Sequence, residues 1–150
     1  MHPHHSHGDH PARSVFETHT LLTSLGVSTA TLLPHAFLTP EASLGFAAVV
    51  LGLIAGVYFG FAVVNGSARD QMVEFNITGL FTLAGILGLL VWPILLPLAY
   101  LSHALWDLAH HNRSRLALVS IPNWYVPWCI VIDVIVGVGL LIIWWTKDLI

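Results

Sequence analysis

Charge is scarce in this sequence. Charged residues make up 9% of the 150, against about 25% in an ordinary soluble domain, whereas 56% are hydrophobic. So few charges cannot cover the surface of a soluble domain, which excludes an ordinary cytosolic enzyme and a disordered protein. Five residues are Lys or Arg, too few for a basic patch that follows a phosphate backbone, so nucleic acid is excluded as a partner. The single cysteine, Cys129, excludes an intramolecular disulfide framework. The composition predicts an integral membrane protein surrounded by a lipid bilayer.

The two N-terminal segments differ in character. Residues 1–14 hold five histidines in the first ten positions, interrupted by prolines and a glycine. This composition cannot build a packed core, so we expect a disordered histidine-rich tail. Residues 15–41 are long and apolar enough to cross a membrane, but Ser and Thr dilute them and Pro34 interrupts them. We expect an interfacial helix in this segment, and a fifth transmembrane helix is the alternative.

Residues 42–150 form the third unit, a predicted four-helix transmembrane domain. It contains four apolar segments that approach the ~20 residues needed to cross ~30 Å of hydrocarbon. They are residues 42–64, 73–91, 94–111 and 127–146. Because every backbone group must be hydrogen-bonded inside a bilayer, the expected fold class is all-α, a polytopic membrane helix bundle.

Arginines and tryptophans indicate how the spans are oriented. Arg69, Arg113 and Arg115 follow the first and third spans, which end on the same side of the membrane. The positive-inside rule makes that side cytoplasmic, with Lys147 on the opposite side. Tryptophans mark both predicted interfaces: Trp124 and Trp128 on the cytoplasmic side, and Trp92, Trp144 and Trp145 on the other.

The first span carries a stripe of small residues. Gly52, Gly56 and Gly60 recur at four-residue spacing and therefore share one face of a helix. Such a face lets another helix approach closely. The predicted partner is another span of this chain, a second copy of it, or another membrane subunit.

The end of the third span is rich in metal-binding residue types. His103, Asp107 and His110 stack on one helical face, and His111 lies beside them. Imidazole together with carboxylate suits zinc, iron or copper. We therefore predict these four residues as ligands of a divalent transition metal. For His111 alone, exposure to water at the end of the helix is the favoured alternative.

Polar residues on the other spans fall at a similar depth. At 1.5 Å per residue, Asp133 and Tyr58 lie about 9 Å from the cytoplasmic ends of their spans, and Glu74 begins the second span. An Asp in the hydrocarbon costs about 2.5–3.5 kcal/mol, so such residues face the bundle interior and pair. We predict Asp133 and Glu74 as the catalytic groups, each as a further ligand, an orienting group or the general base for a metal-bound water. Glu74 or Tyr58 is expected at the edge of the site.

One motif carries a family resemblance. The run His103-x-x-Trp106-Asp107-x-x-His110-His111, followed by Cys129-x-x-x-Asp133, resembles a family of small uncharacterised bacterial membrane proteins. The start of the second span, at Glu74, is similar as well. The resemblance covers the second half of the chain. It implies a multi-pass protein of the bacterial inner (cell) membrane with a site at these residues, but no reaction.

The polar residues fit functions of different classes. The first is an intramembrane metal site that acts on an apolar or lipid-like substrate. The second is a non-catalytic accessory subunit of a larger membrane complex, in which the same residues form a structural hydrogen-bond network. Passage of protons along histidine and aspartate is a third.

Overall fold

The structure, a computed structural model, describes residues 14–111 and 118–150. Helices account for 83% of these residues and no strand occurs among them, which confirms the all-α prediction. The elements are α1 (Val15–Thr18), α2 (Thr20–Leu32), a 3-10 helix (Leu33–Ala36), α3 (Pro40–Asn65), α4 (Ala68–Leu90), α5 (Leu95–His111) and α6 (Tyr125–Thr146). The predicted histidine-rich tail, apart from Ser14, lies outside the described residues, as do Arg113 and Arg115.

Three of the described helices are long and apolar enough to cross a membrane. They are α3, α4 and α6, with 26, 23 and 22 residues. This identifies the chain as a membrane protein. Helices α5 and α2 are shorter, with 17 and 13 residues, so the predicted spans are confirmed for three helices.

Local capping decides where the long helices begin. Thr39 accepts a hydrogen bond from the backbone N–H of Ala42, and Pro40 is the first residue of α3. At the start of α4, the Ser67 hydroxyl and the Asp70 carboxylate each accept from the other residue's backbone N–H. This capping box starts α4 five residues earlier than the predicted boundary at residue 73.

Close packing between helices occurs at glycines other than the predicted stripe. A Cβ added to Gly137 of α6 would lie 2.8 Å from Leu101 of α5, and one added to Gly139 would lie 2.5 Å from Leu32 of α2. By contrast, a Cβ added to Gly52, Gly56 or Gly60 would meet no described atom within 4 Å outside its own helix. Within the described chain, the glycine stripe of α3 therefore faces open space.

The N-terminal segment contacts both ends of α6. The Phe16 ring stacks on Trp124 with ring centroids 5.8 Å apart, near the start of α6. At the other end, the Lys147 ammonium donates to the backbone oxygen of His35 over 2.7 Å. Residues 15–36 therefore run alongside α6 from its first residues to its last.

Trp144 corrects one sequence expectation. It was predicted to anchor the chain at the membrane interface, but its side chain is fully buried. Its indole N–H donates to the Ser43 hydroxyl over 2.8 Å. Trp144 thus joins α6 to α3, since its polar atom finds a protein partner within the bundle rather than water or headgroups.

Candidate metal centre

Six polar side chains from four helices meet inside the bundle. Helix α5 contributes three of them, and α3, α4 and α6 contribute one each. They are His103, Asp107 and His110, with Tyr58, Glu74 and Asp133, and none is more than 3% exposed. All six lie at a similar depth in the predicted spans. Because ionisable groups exposed to lipid cost free energy, these side chains gather in the bundle interior.

The first group of these residues, here called the Asp cluster, consists of His103, Asp107 and Asp133. Nδ1 of His103 lies 2.7 Å from Oδ2 of Asp133 and 3.6 Å from Oδ1 of Asp107. Each residue offers one ligand atom, and these atoms all lie within 4.8 Å of one another. Metal bonds of ~2.0–2.2 Å place neighbouring ligand atoms about 3–3.5 Å apart, so small side-chain rotations suffice to hold one ion. The Asp cluster could hold a metal ion.

Unsatisfied atoms and charge distinguish the Asp cluster from the other three of the six side chains. Nε2 of His103, Oδ2 of Asp107 and Oδ1 of Asp133 are buried and have no hydrogen-bond partner in the described structure. Such atoms cost free energy, about 1–3 kcal/mol each. The two carboxyl groups also adjoin each other in the bundle interior, and a divalent cation would bind both as carboxylates and neutralise their charge. The donor set, the free atoms and the charge all suit a metal ion.

The second group, here called the Glu74 network, has its polar atoms paired. One carboxylate oxygen of Glu74 lies 3.0 Å from Nε2 of His110, and the other accepts from the Trp106 indole N–H over 3.2 Å. Nδ1 of His110 lies 3.1 Å from the Trp106 backbone oxygen, which can only accept, so Nδ1 carries a proton. Nε2 of His110 and the Glu74 carboxylate share one further proton. Whichever of the two groups holds it, the Glu74–His110 pair carries no net charge. This network needs no ion to complete it.

Tyr58 lies between the two groups. Its hydroxyl donates to Oδ1 of Asp107 over 2.5 Å. Its ring stacks on His110, with centroids 4.3 Å apart and planes 5° apart, and it also stacks on His103 at 5.7 Å. Tyr58 therefore fixes the position of one candidate ligand while it separates the two histidines.

The structure divides the residues predicted from the sequence. It brings His103, Asp107 and Asp133 together, and it places His110 with Glu74 instead. His111 is exposed at the end of α5, outside both groups. Glu74 and Tyr58 were expected at the edge of the site, but each is 1% exposed and lies in the interior.

Trp106 is a participant to which the sequence assigned no role. Its side chain extends from α5 towards α4, where the indole N–H reaches Glu74. Its position four residues before His110 places it on the neighbouring turn of the same face, which is the signal that could have found it. Trp106 also packs edge-on against the His110 ring, with centroids 5.1 Å apart.

Comparison of the chain with protein-family models, with curated proteins and with solved structures gave no match.

Proposed function

We propose that this chain is a multi-pass membrane protein that binds a divalent transition metal, zinc, iron or copper, through His103, Asp107 and Asp133. One observation carries the proposal. The ligand atoms of these three residues lie within 4.8 Å of one another. Each residue also keeps a buried polar atom that has no hydrogen-bond partner in the described structure. A metal ion would supply the missing partner and neutralise the two carboxylates.

We also propose that the chain crosses the membrane five times. Residues 15–32 and α5 are the two further spans, because the first lies along α6 and the second carries the buried site. Five spans put residue 14 on the same side of the membrane as the ends of α3 and α5, which Arg69, Arg113 and Arg115 follow in the sequence. Positive charge then favours that side as the cytoplasmic one, in line with a bacterial cell membrane.

The proposed activity is metal-assisted chemistry on an apolar or lipid-like substrate. Three protein ligands leave a coordination position open, and a metal there would polarise a carbonyl or activate a water. The ligands lie between helices that are apolar enough to span a membrane, so a substrate that reaches them has to be soluble in lipid. In this proposal Asp133 is a ligand. Glu74 holds His110 in place beside the centre, and Tyr58 orients Asp107.

Metal content of the purified protein tests the proposal. The histidine-rich residues 2–11 would capture metal by themselves, so the protein is compared after their deletion and purified without a metal-affinity step. We expect about one divalent transition metal per chain, by analogy with other three-ligand sites. Asp107→Asn combined with Asp133→Asn should abolish it.

Glu74→Gln is the matched control. Like the double variant, it removes a buried carboxylate from this layer of the bundle, but Glu74 lies outside the Asp cluster. The Glu74→Gln protein should therefore keep the metal. The proposal fails if the shortened protein binds no more metal than the double variant. Equal loss of metal in Glu74→Gln would assign the ion to a different set of ligands.

An accessory subunit of a membrane complex is the second candidate function. The observation in its favour is the open face at Gly52, Gly56 and Gly60, against which no described residue packs. Gly52→Leu combined with Gly56→Leu would block a close helix contact on this face. Crosslinking in membranes should then lose a specific adduct that the parent protein forms. Unchanged crosslinking would reject this function.

A further inference from the structure

A third group of polar residues lies at the opposite end of the bundle from the Asp cluster and the Glu74 network. We call it the His35 cluster, and it consists of His35, Ser43, Trp144 and Lys147. Nδ1 of His35 lies 2.6 Å from the Ser43 hydroxyl oxygen, and both side chains are buried. The cluster joins three segments: the 3-10 helix, the first turn of α3 and the end of α6.

The contacts of His35 suit a neutral ring. The Trp144 indole can only donate, so the Ser43 oxygen accepts from it. Because a hydroxyl oxygen can accept two hydrogen bonds and donate one, Nδ1 of His35 either accepts from Ser43 or donates to it. Nε2 of His35 is buried and has no hydrogen-bond partner in the described structure, so no acceptor stabilises a charged ring.

A positive charge already lies beside His35. The Lys147 ammonium donates to the backbone oxygens of His35, Ala36 and Leu38 over 2.7, 3.2 and 3.4 Å. The side chains that α3 places against the ring are Ser43 and Phe46, neither of which titrates near neutral pH. Burial, and then Lys147, lower the pKa of His35 below its ordinary value of 6.5.

Protonation of His35 would destabilise this arrangement. An imidazolium carries a proton on both nitrogens, so Nε2 would become a buried donor without an acceptor among the described residues. It would also set a second positive charge near Lys147 in a buried position. From these contacts we propose that the His35 cluster is a pH-sensitive attachment of the N-terminal segment, closed while His35 is neutral and opened when acid protonates it.

The sign of the pH dependence follows from the lowered pKa. The opened state titrates near 6.5 and the closed state below that value. The closed state is therefore fully stable above about pH 6.5 and loses stability as the pH falls below it. The proposal does not depend on the metal centre, because none of its residues belongs to the Asp cluster.

Amide hydrogen exchange of the full chain in detergent or nanodiscs tests the proposal. The backbone N–H groups of Phe37 and Leu38 both donate to Pro34, so their protection reports whether the segment is closed. We expect their protection factors, corrected for intrinsic rates, to fall at least about threefold between pH ~7.5 and pH ~5. Peptides from residues 135–142 of α6, which hold no titratable side chain, should not change.

Two variants separate His35 from other acid effects. His35→Gln cannot be protonated, so the protection of Phe37 and Leu38 should no longer depend on pH. Lys147→Gln removes the neighbouring charge, and the loss of protection should move to higher pH. The proposal is overturned if the parent protein shows no acid-dependent loss or if His35→Gln shows the same loss. If His35→Gln does not fold, Lys147→Gln decides, and an unshifted transition rejects the role of His35.

Discussion

Two buried polar groups on the same helix differ in how completely they are satisfied. In the Glu74 network, both oxygens of Glu74 and both nitrogens of His110 have partners. In the Asp cluster, His103, Asp107 and Asp133 each keep an unpartnered atom, and two carboxylates share one imidazole. The groups lie at a similar depth and are equally buried, so burial alone does not create the difference.

The comparison separates a structural role from a binding role. A satisfied and neutral network ties α4 to α5 without any ligand, and its removal should cost stability. An unsatisfied group with two adjoining carboxyl groups is costly in the empty state and would gain partners if a cation entered. In the proposed function, the two interpretations of the sequence, a metal site and a structural polar network, apply to different residues of one bundle.

The largest expected effect on stability comes from Glu74→Leu. Leucine leaves the Trp106 indole N–H and the His110 ring buried without their partner, which should lower the free energy of unfolding by about 3 kcal/mol. Thermal or denaturant unfolding in detergent measures this loss. The metal content should stay unchanged, and loss of metal in this variant would break the distinction between the two groups.

Asp133→Asn should give an effect that depends on metal. With metal at about 100 times its Kd, the parent protein gains ~2.7 kcal/mol that the variant cannot gain. With a chelator present, the variant should be within ~1 kcal/mol of the parent or more stable, because one of two adjoining buried carboxyl groups is replaced by an amide. Unfolding of both proteins with and without chelator measures this difference. An equal loss of stability in both conditions would make Asp133 structural.

Tyr58→Phe keeps both ring stacks but removes the hydrogen bond to Asp107. We expect a loss of about 1.5 kcal/mol in stability, typical of a hydrogen bond to a charged group. Metal affinity should fall about 10–100-fold, as for other residues that orient a ligand. Metal titration of the protein without residues 2–11 measures the affinity. Unchanged affinity would show that Tyr58 belongs to the packing and not to the metal centre.

The smallest effect is expected for His111→Ala. This histidine is exposed at the end of α5 and lies outside both groups. Its replacement should change stability by less than ~0.5 kcal/mol and leave metal content as it was. If His111→Ala loses the metal, the ion is bound at the end of α5, and the Asp cluster is not its site.

The glycines show how sequence spacing and tertiary contact can differ. The regular spacing of Gly52, Gly56 and Gly60 predicts a packing face, but the close contacts inside the described chain occur at Gly137 and Gly139. Spacing identifies a face that permits close approach and does not identify which helix takes it. Which helix packs against the face depends on how each helix is rotated about its axis. That rotation is determined by the packing of side chains from all the helices in contact.

The sequence by itself determined the membrane class, the helical fold and the layer of polar residues. A chain with low charge and long apolar segments has few alternatives to a bundle of membrane helices. The helical period then places His103, Asp107 and His110 on one face. Only the tertiary structure decided how that layer divides: His103 and Asp107 turn to Asp133, whereas His110 turns to Glu74. The physical reason is that residues sharing one face still differ in direction by tens of degrees, so each meets whichever neighbouring helix lies there.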